Sequence, residues 1–315
     1  MISGNKLNRM YICVASQKSL FTKKIESQTI VFQCLRYSSS HSLANGPAST
    51  LPASLDSPTR KPGQAAFSYY YSVGKAYLGF YKTGMKNIYY NYKASQKIED
   101  IIESKYGGKL SQAVKEKAIS RSDFQLLIRN WHDIKRVPLF GLMFAVFGEF
   151  TPLVVLAVGN IVPLTCRIPA QIKKERKKLE ERRRKVFEPN APFKSTEGSP
   201  VSLEPKILAQ INNSLGLSSQ LWNFFGGPPH LILKRRVKKR LEYLRLDDEL
   251  LEVAGGVHKM CTEEVKMALV ERGIDVLGRD ESLLRDDLKS WLGSRKKVAQ
   301  EKLILTRPSK WPYRA

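Results

Sequence analysis

The densest chemistry in the chain lies in the run KRRVKKR, where Lys234, Arg235, Arg236, Lys238, Lys239 and Arg240 place six positive charges in seven residues. On a helix these charges spread around most of the circumference, so they cannot all be buried, and phosphate contact is their natural use. A second basic run, KKERKKLEERRRK, contributes Lys173, Lys174, Arg176, Lys177, Lys178, Arg182, Arg183, Arg184 and Lys185. Beside a membrane each could gain about 1 kcal/mol from anionic lipid, and the plainer reading is a solvated helix. Glu149 is the only charge in the apolar stretch from Val137 to Thr165. An acid in such a setting is costly and by default functional, able to hold a proton or a cation. Its plainer role is to satisfy backbone groups freed by Pro138, Pro152 and Pro163.

Catalytic and metal chemistry find no constellation. There is no phosphate-binding glycine loop, and His41, His132, His230 and His258 stand apart from one another and from any candidate nucleophile. Asp247, Asp248 and Glu249 read as a solvated helix corner rather than a paired acid and base. Cys13, Cys34, Cys166 and Cys261 form no CxxC, so neither a disulfide nor a zinc site is expected. These features describe a non-enzyme without metal or cofactor. The formal charge of +24 over 315 residues points to polyanionic partners such as anionic lipid or RNA.

The elements that must carry these groups are all helical. Residues 1–37 hold Lys6, Arg9, Lys18, Lys23, Lys24 and Arg36 against the single acid Glu26, the composition of a mitochondrial transit peptide, the alternative being a disordered basic tail. Residues 38–66 are rich in Ser, Pro, Ala and Gly and read as a flexible linker. A helical pre-membrane region follows over 67–136. It opens on an amphipathic helix, Phe67 to Tyr92, whose tyrosine-heavy face suits a membrane, a partner, or packing against Gln112 to Arg129.

Residues 137–165 are long and apolar enough for one transmembrane span, tilted or broken at its prolines, with Glu149, Pro152, Asn160 and Pro163 inside it. A fully buried core helix is the alternative. The flank after the span is more basic than the one before, which predicts a single pass with the C-terminal half in the matrix. A basic juxtamembrane helix and loop (166–202) lead to helices over Leu203–Phe225 and Leu231–Leu251, parted by the GGPPH turn. A helical hairpin follows, CTEEVKMALVERG then ESLLRDDLKSWL, too small to bury a core alone. It completes a helical domain over 203–293, and 294–315 read as a basic tail. The fold class is therefore all-α, a single transmembrane helix followed by a helical matrix domain.

Several of these segments carry a resemblance. The elements Phe147–Phe150 and Asn160–Pro163, the preceding RNWHDIKRVPLF, and the distal LRLDDELLEVAGGV, EEVKMALVERGIDVLG and LLRDDLKSWL resemble the LETM family of leucine-zipper, EF-hand-containing transmembrane proteins. The likeness runs from about Tyr69 to Leu292, tightest over the last third. Pro152 and Gly159 depart from the family's pattern in the span. The resemblance implies a mitochondrial inner-membrane protein whose matrix domain binds the mitochondrial ribosome and assists insertion or assembly of newly made proteins. It adds Arg272, Arg285 and Lys289 to the basic residues expected to touch the ribosome. It also implies the alternative of cation/proton exchange, potassium included, through Glu149, with insertion factors or a second copy as further partners. The family's calcium loop and coiled-coil tail are missing here, so calcium sensing is not expected. Thr262 to Leu292 also resembles the SAP helix-hairpin module, which the span and transit peptide disfavour.

Overall fold

A helix of 41 residues, α1 (Ala66–Tyr106), organises the N-terminal half. The computed structural model describes residues 43–55, 58–148, 161–187, 204–219, 222, 224 and 226–314. α1 buries Phe80, Tyr81, Gly84, Ile88, Asn91, Ser95 and Ile102, a stripe at helical spacing that must face other elements. It stops at Gly107, whose left-handed φ of 54° is cheap only for glycine. After the short α2 (Leu110–Lys115) comes α3 (Arg121–Ile134), opened by a reciprocal cap in which the Ser120 hydroxyl and Asp123 carboxylate satisfy each other's backbone N–H. α3 lies antiparallel to α1, joined by Asn130 to Ser95 at 2.8 Å and Trp131 to Glu99 at 2.6 Å.

Beyond α4 (Val137–Phe147), α5 (Pro169–Val186), α6 (Pro205–Leu215), α7 (His230–Val253), α8 (Thr262–Glu271), α9 (Glu281–Ser294) and α10 (Gln300–Ile304) complete the chain. Among the described residues every regular element is a helix. α6 to α10 share one core, in which Leu208, Ile211, Val237, Leu244, Leu251, Val265, Leu269, Leu284, Leu288 and Trp291 are buried. A second cluster joins Ile102, Val114, Phe124 and Leu127 to Leu246 and Leu250 of α7. A third gathers Phe80, Tyr81 and Ile88 with Phe140, Met143, Val162, Cys166 and Ile168. The N-terminal helices and the C-terminal domain thus form one folded unit, His41–Ala315.

Three expectations change. The single span expected over 137–165 falls partly on residues 149–160, outside the described residues, and among those described no helix is long and apolar enough to cross a membrane. α4 has 11 residues and ends at Gly148, which adopts a φ of 50°. The chain comes back to where α4 began: Asp133 accepts the Leu164 N–H at 2.6 Å and the Thr165 N–H at 3.2 Å. Residues 43–55 are a fixed strap rather than a flexible linker, because Ala44 and Thr50 are buried and the Asn45 side chain bonds the Lys259 carbonyl and the Cys261 N–H. The basic tail is folded as well. Leu303, Ile304 and Trp311 enter the main core, with Trp311 edge-on to Trp291. Lastly, α6 halts at Gly216, with φ 62°, ten residues short of the expected helix end.

Candidate functional site

At the junction of α3, α7, α8 and α9 lies a buried network of charge. Asp247 of α7 receives Arg121 Nε at 2.8 Å and Arg272 Nη2 at 2.7 Å, while Asp248 receives Arg272 Nη2 at 2.6 Å and Trp291 Nε1 at 3.0 Å. Arg129 makes a two-pronged pair with Glu264, at 2.6 and 2.9 Å. Arg121 also donates to the Ala44 carbonyl of the strap, and Gln125 reaches Asp247 at 2.7 Å. Three guanidiniums balance three carboxylates, so the cluster is neutral overall despite its burial.

Burial alone would raise the Asp247 carboxyl, but Arg121 and Arg272 outweigh it and hold the group below the usual range. Glu264 is likewise lowered, with Arg129 and Arg121 overcoming burial. Asp248 goes the other way, because burial exceeds the pull of Arg272 and Arg295. The network has no access for a substrate and presents no free nucleophile. Its role is positional: it welds α3, α8 and α9 onto α7. That corrects the reading of Asp247 and Asp248 as a solvated corner, since both are 0 % exposed. Arg272 is corrected too, being buried at 1 % exposure and unable to meet an external partner.

What the weld presents is the outer face of α7. Leu233, Val237 and Leu244 turn inward, and the charges between them sort by angle. Lys234, Arg235, Lys238 and Lys239 are exposed, at i, i+1, i+4 and i+5, and form a single basic stripe. Arg236 and Arg240 are only half-exposed. Arg236 donates to Ser218 Oγ at 2.8 Å, and Arg240 stacks over the Tyr243 ring at 5.1 Å. Phe224 and Leu231 stand exposed at the start of the stripe. Near its foot a cleft of about 360 Å³ opens between α5 and α6, lined by Arg182, Lys185, Asn212 and Trp222 among others.

The family model for the pentamidine resistance factor domain matches residues 60–251, more than half of the chain, and that described as LETM1-like, RBD matches residues 203–309. The chain is a LETM1-like member of the pentamidine resistance factor family. No curated protein and no solved structure matches it. The LETM1-like RBD takes in α6 to α10, so the α7 stripe lies inside it and the folded segment after Ser294 belongs to it. The pentamidine resistance factor match takes in α1 to α7, and thus both partners of the Arg121–Asp247 pair.

Other expected sites are dispersed. Arg285 spends its guanidinium on the Val257 and Met260 carbonyls, both at 2.9 Å, and on Glu281. Lys289 is exposed beside Asp286. On α5, Lys173, Lys174, Lys177, Lys178, Arg184 and Lys185 are exposed, whereas Arg176 and Arg182 are half-buried. Arg183 is inside, donating to the Ser214, Ile274 and Val270 carbonyls, and burial lowers its pKa to about 10. It therefore cannot serve anionic lipid. Glu149, Pro152 and Asn160 lie outside the described residues, and Pro163 is buried at the return of the chain to Asp133. Among the described residues no group of His, Cys, Asp and Glu side chains could hold a metal ion. Asp133, Arg121 and Arg129 escaped the sequence reading, though each sits at helical spacing within the apolar face of α3.

Proposed function

We propose that this protein is a mitochondrial ribosome-binding protein, not an enzyme, attached to the inner membrane through its apolar segment and presenting its RBD in the matrix. The observation that carries the reading is the exposed stripe Lys234, Arg235, Lys238 and Lys239 inside a domain matched as a LETM1-like RBD, which suggests a ribosome-associated role. Four cations on one face of a rigid helix suit the regular negative charge of rRNA phosphates. Support for membrane insertion or assembly of newly made proteins follows if ribosomes are held at that membrane. The exposed lysines of α5 would then face anionic lipid.

The test is co-sedimentation of the detergent-solubilised protein with the large ribosomal subunit, for wild type and for a variant with all four stripe residues changed to glutamine. Wild type should travel with the subunit and the variant should remain at the top of the gradient. Equal co-sedimentation of both would refute the assignment. Cation exchange through Glu149 gains no support from the described residues. Its own check is Glu149→Gln protein in vesicles, where unchanged potassium/proton exchange would remove that residue from consideration.

A further inference from the structure

Both ends of the apolar segment belong to one small structure. Val137, Phe140 and Met143 on the outgoing side and Val162, Cys166 and Ile168 on the returning side pack around the same Phe80, Tyr81 and Ile88 of α1. Asp133, the penultimate residue of α3, accepts two backbone N–H groups and the Thr165 hydroxyl from the returning turn. Gly84 of α1 admits that turn so closely that a Cβ would fall 2.6 Å from Cys166 Sγ and 2.9 Å from the Thr165 carbonyl. Independently, α3, which precedes the segment, is ion-paired in the protein interior to α7 and α8, which follow it. Helices joined by buried ion pairs cannot stand on opposite sides of a bilayer.

Length then limits the excursion. Residues 137–163 number 27. Even as uninterrupted helix they would rise about 40 Å, or about 20 Å out and 20 Å back. A hydrocarbon core is about 30 Å thick, and extended chain cannot cross it because its backbone groups would go unsatisfied. The residues that begin the excursion are nevertheless dressed for lipid: Leu139, Leu142, Val146 and Phe147 of α4 are exposed. Since α1 runs antiparallel to α3 and Tyr81 meets Phe140, the free N-terminal end of α1 points the same way as α4, and it carries exposed Phe67, Tyr70, Tyr71 and Leu78. Basic residues flank both ends, Lys135 and Arg136 before, Arg167 and Lys173 after.

We infer that the apolar segment enters and leaves the bilayer by the same face, as an anchor in one leaflet, with α1, α3, α5 and the RBD all on that side. The inference rests on the membrane attachment proposed above. It also places the basic residues of both flanks on one side of the bilayer.

The experiment places one cysteine at exposed Lys97 before the segment or at exposed Lys297 after it, with the four native cysteines replaced by serine. An impermeant maleimide is then added to mitoplasts with and without detergent. Both positions should be protected in intact mitoplasts and both labelled after detergent. Labelling of one position but not the other in intact mitoplasts would overturn the shared face. Labelling of both would keep the shared face and move it out of the matrix. Epitope tags after Lys61 and after Ala315, followed by protease, read the same topology in the native-cysteine chain should replacing buried Cys166 impair folding. In parallel, release of the protein by alkaline carbonate would remove the membrane attachment itself, and this inference with it.

Discussion

At the scale of single residues, the protein depends on charges that no solvent reaches. Removing one member of a buried, hydrogen-bonded pair leaves the other uncompensated and typically costs about 3–5 kcal/mol. Arg272→Gln is therefore expected to lower stability by that order in denaturant unfolding, because it takes the guanidinium shared by Asp247 and Asp248 away from both, leaving Asp248 with only the more distant Arg295 as a cation. A change below about 1 kcal/mol would show that the pairs are not formed as described. The pH dependence follows from the directions of the shifts. Asp247 and Glu264 titrate lower folded than unfolded, so their contribution is present above about pH 4 and is lost as pH falls through their folded values. Asp248, raised by burial, contributes in the opposite sense and softens the loss. Circular dichroism between pH 7 and pH 2 should show an acid transition, and Glu264→Gln should make that pH dependence shallower. These residues were hard to read because aspartate and arginine are almost always at the surface. The spacing held the signal nonetheless: Asp247 and Asp248 fall three and four residues after Leu244 and before Leu251, on the inward face of α7.

At the scale of elements, α9 runs through Gly293 to Ser294 rather than stopping at that glycine, whereas the bounds of α8 are legible in CTEEVKMALVERG. Cys261 precedes the first turn, Glu263 and Glu264 lie within it, and Gly273 with φ 84° follows its end. The two terminal pieces were not legible. A Pro- and Ser-rich segment has little patterning of its own, so nothing local announces that Asn45 will bond residues more than two hundred positions away. The C-terminal piece is basic enough to look like a tail, while Leu303, Ile304 and Trp311 fit a hollow that exists only once α6, α7 and α9 have assembled. Trp311→Ala should consequently cost about 3–5 kcal/mol, as a buried aromatic does on truncation. A thermal melt unchanged from wild type would mean that the segment is not part of the fold. In α7 itself, the glutamine changes at Lys234, Arg235, Lys238 and Lys239 should shift stability by no more than about 0.5 kcal/mol, since all four are exposed.

At the scale of the whole molecule, the all-helical class and the LETM likeness could be read from the sequence, and the arrangement across the apolar segment could not. Hydropathy measures whether a segment suits lipid, not whether its ends part or meet, and their meeting depends on Asp133 and on the long-range pairs of α3. The resulting picture is a basic helix held rigid by a neutral buried network, on a body whose two halves share one side. Its central claim is that the exposed stripe of α7 grips ribosomal phosphates, and counterion release gives that claim a number. The direct measurement is the affinity of purified protein for isolated mitochondrial ribosomes across a salt series, for wild type and for the four-glutamine variant. Wild type should lose affinity steeply, and the variant's log–log slope should be shallower by roughly 3 to 4, near one unit per phosphate contact removed. Identical slopes in the two proteins would contradict the account.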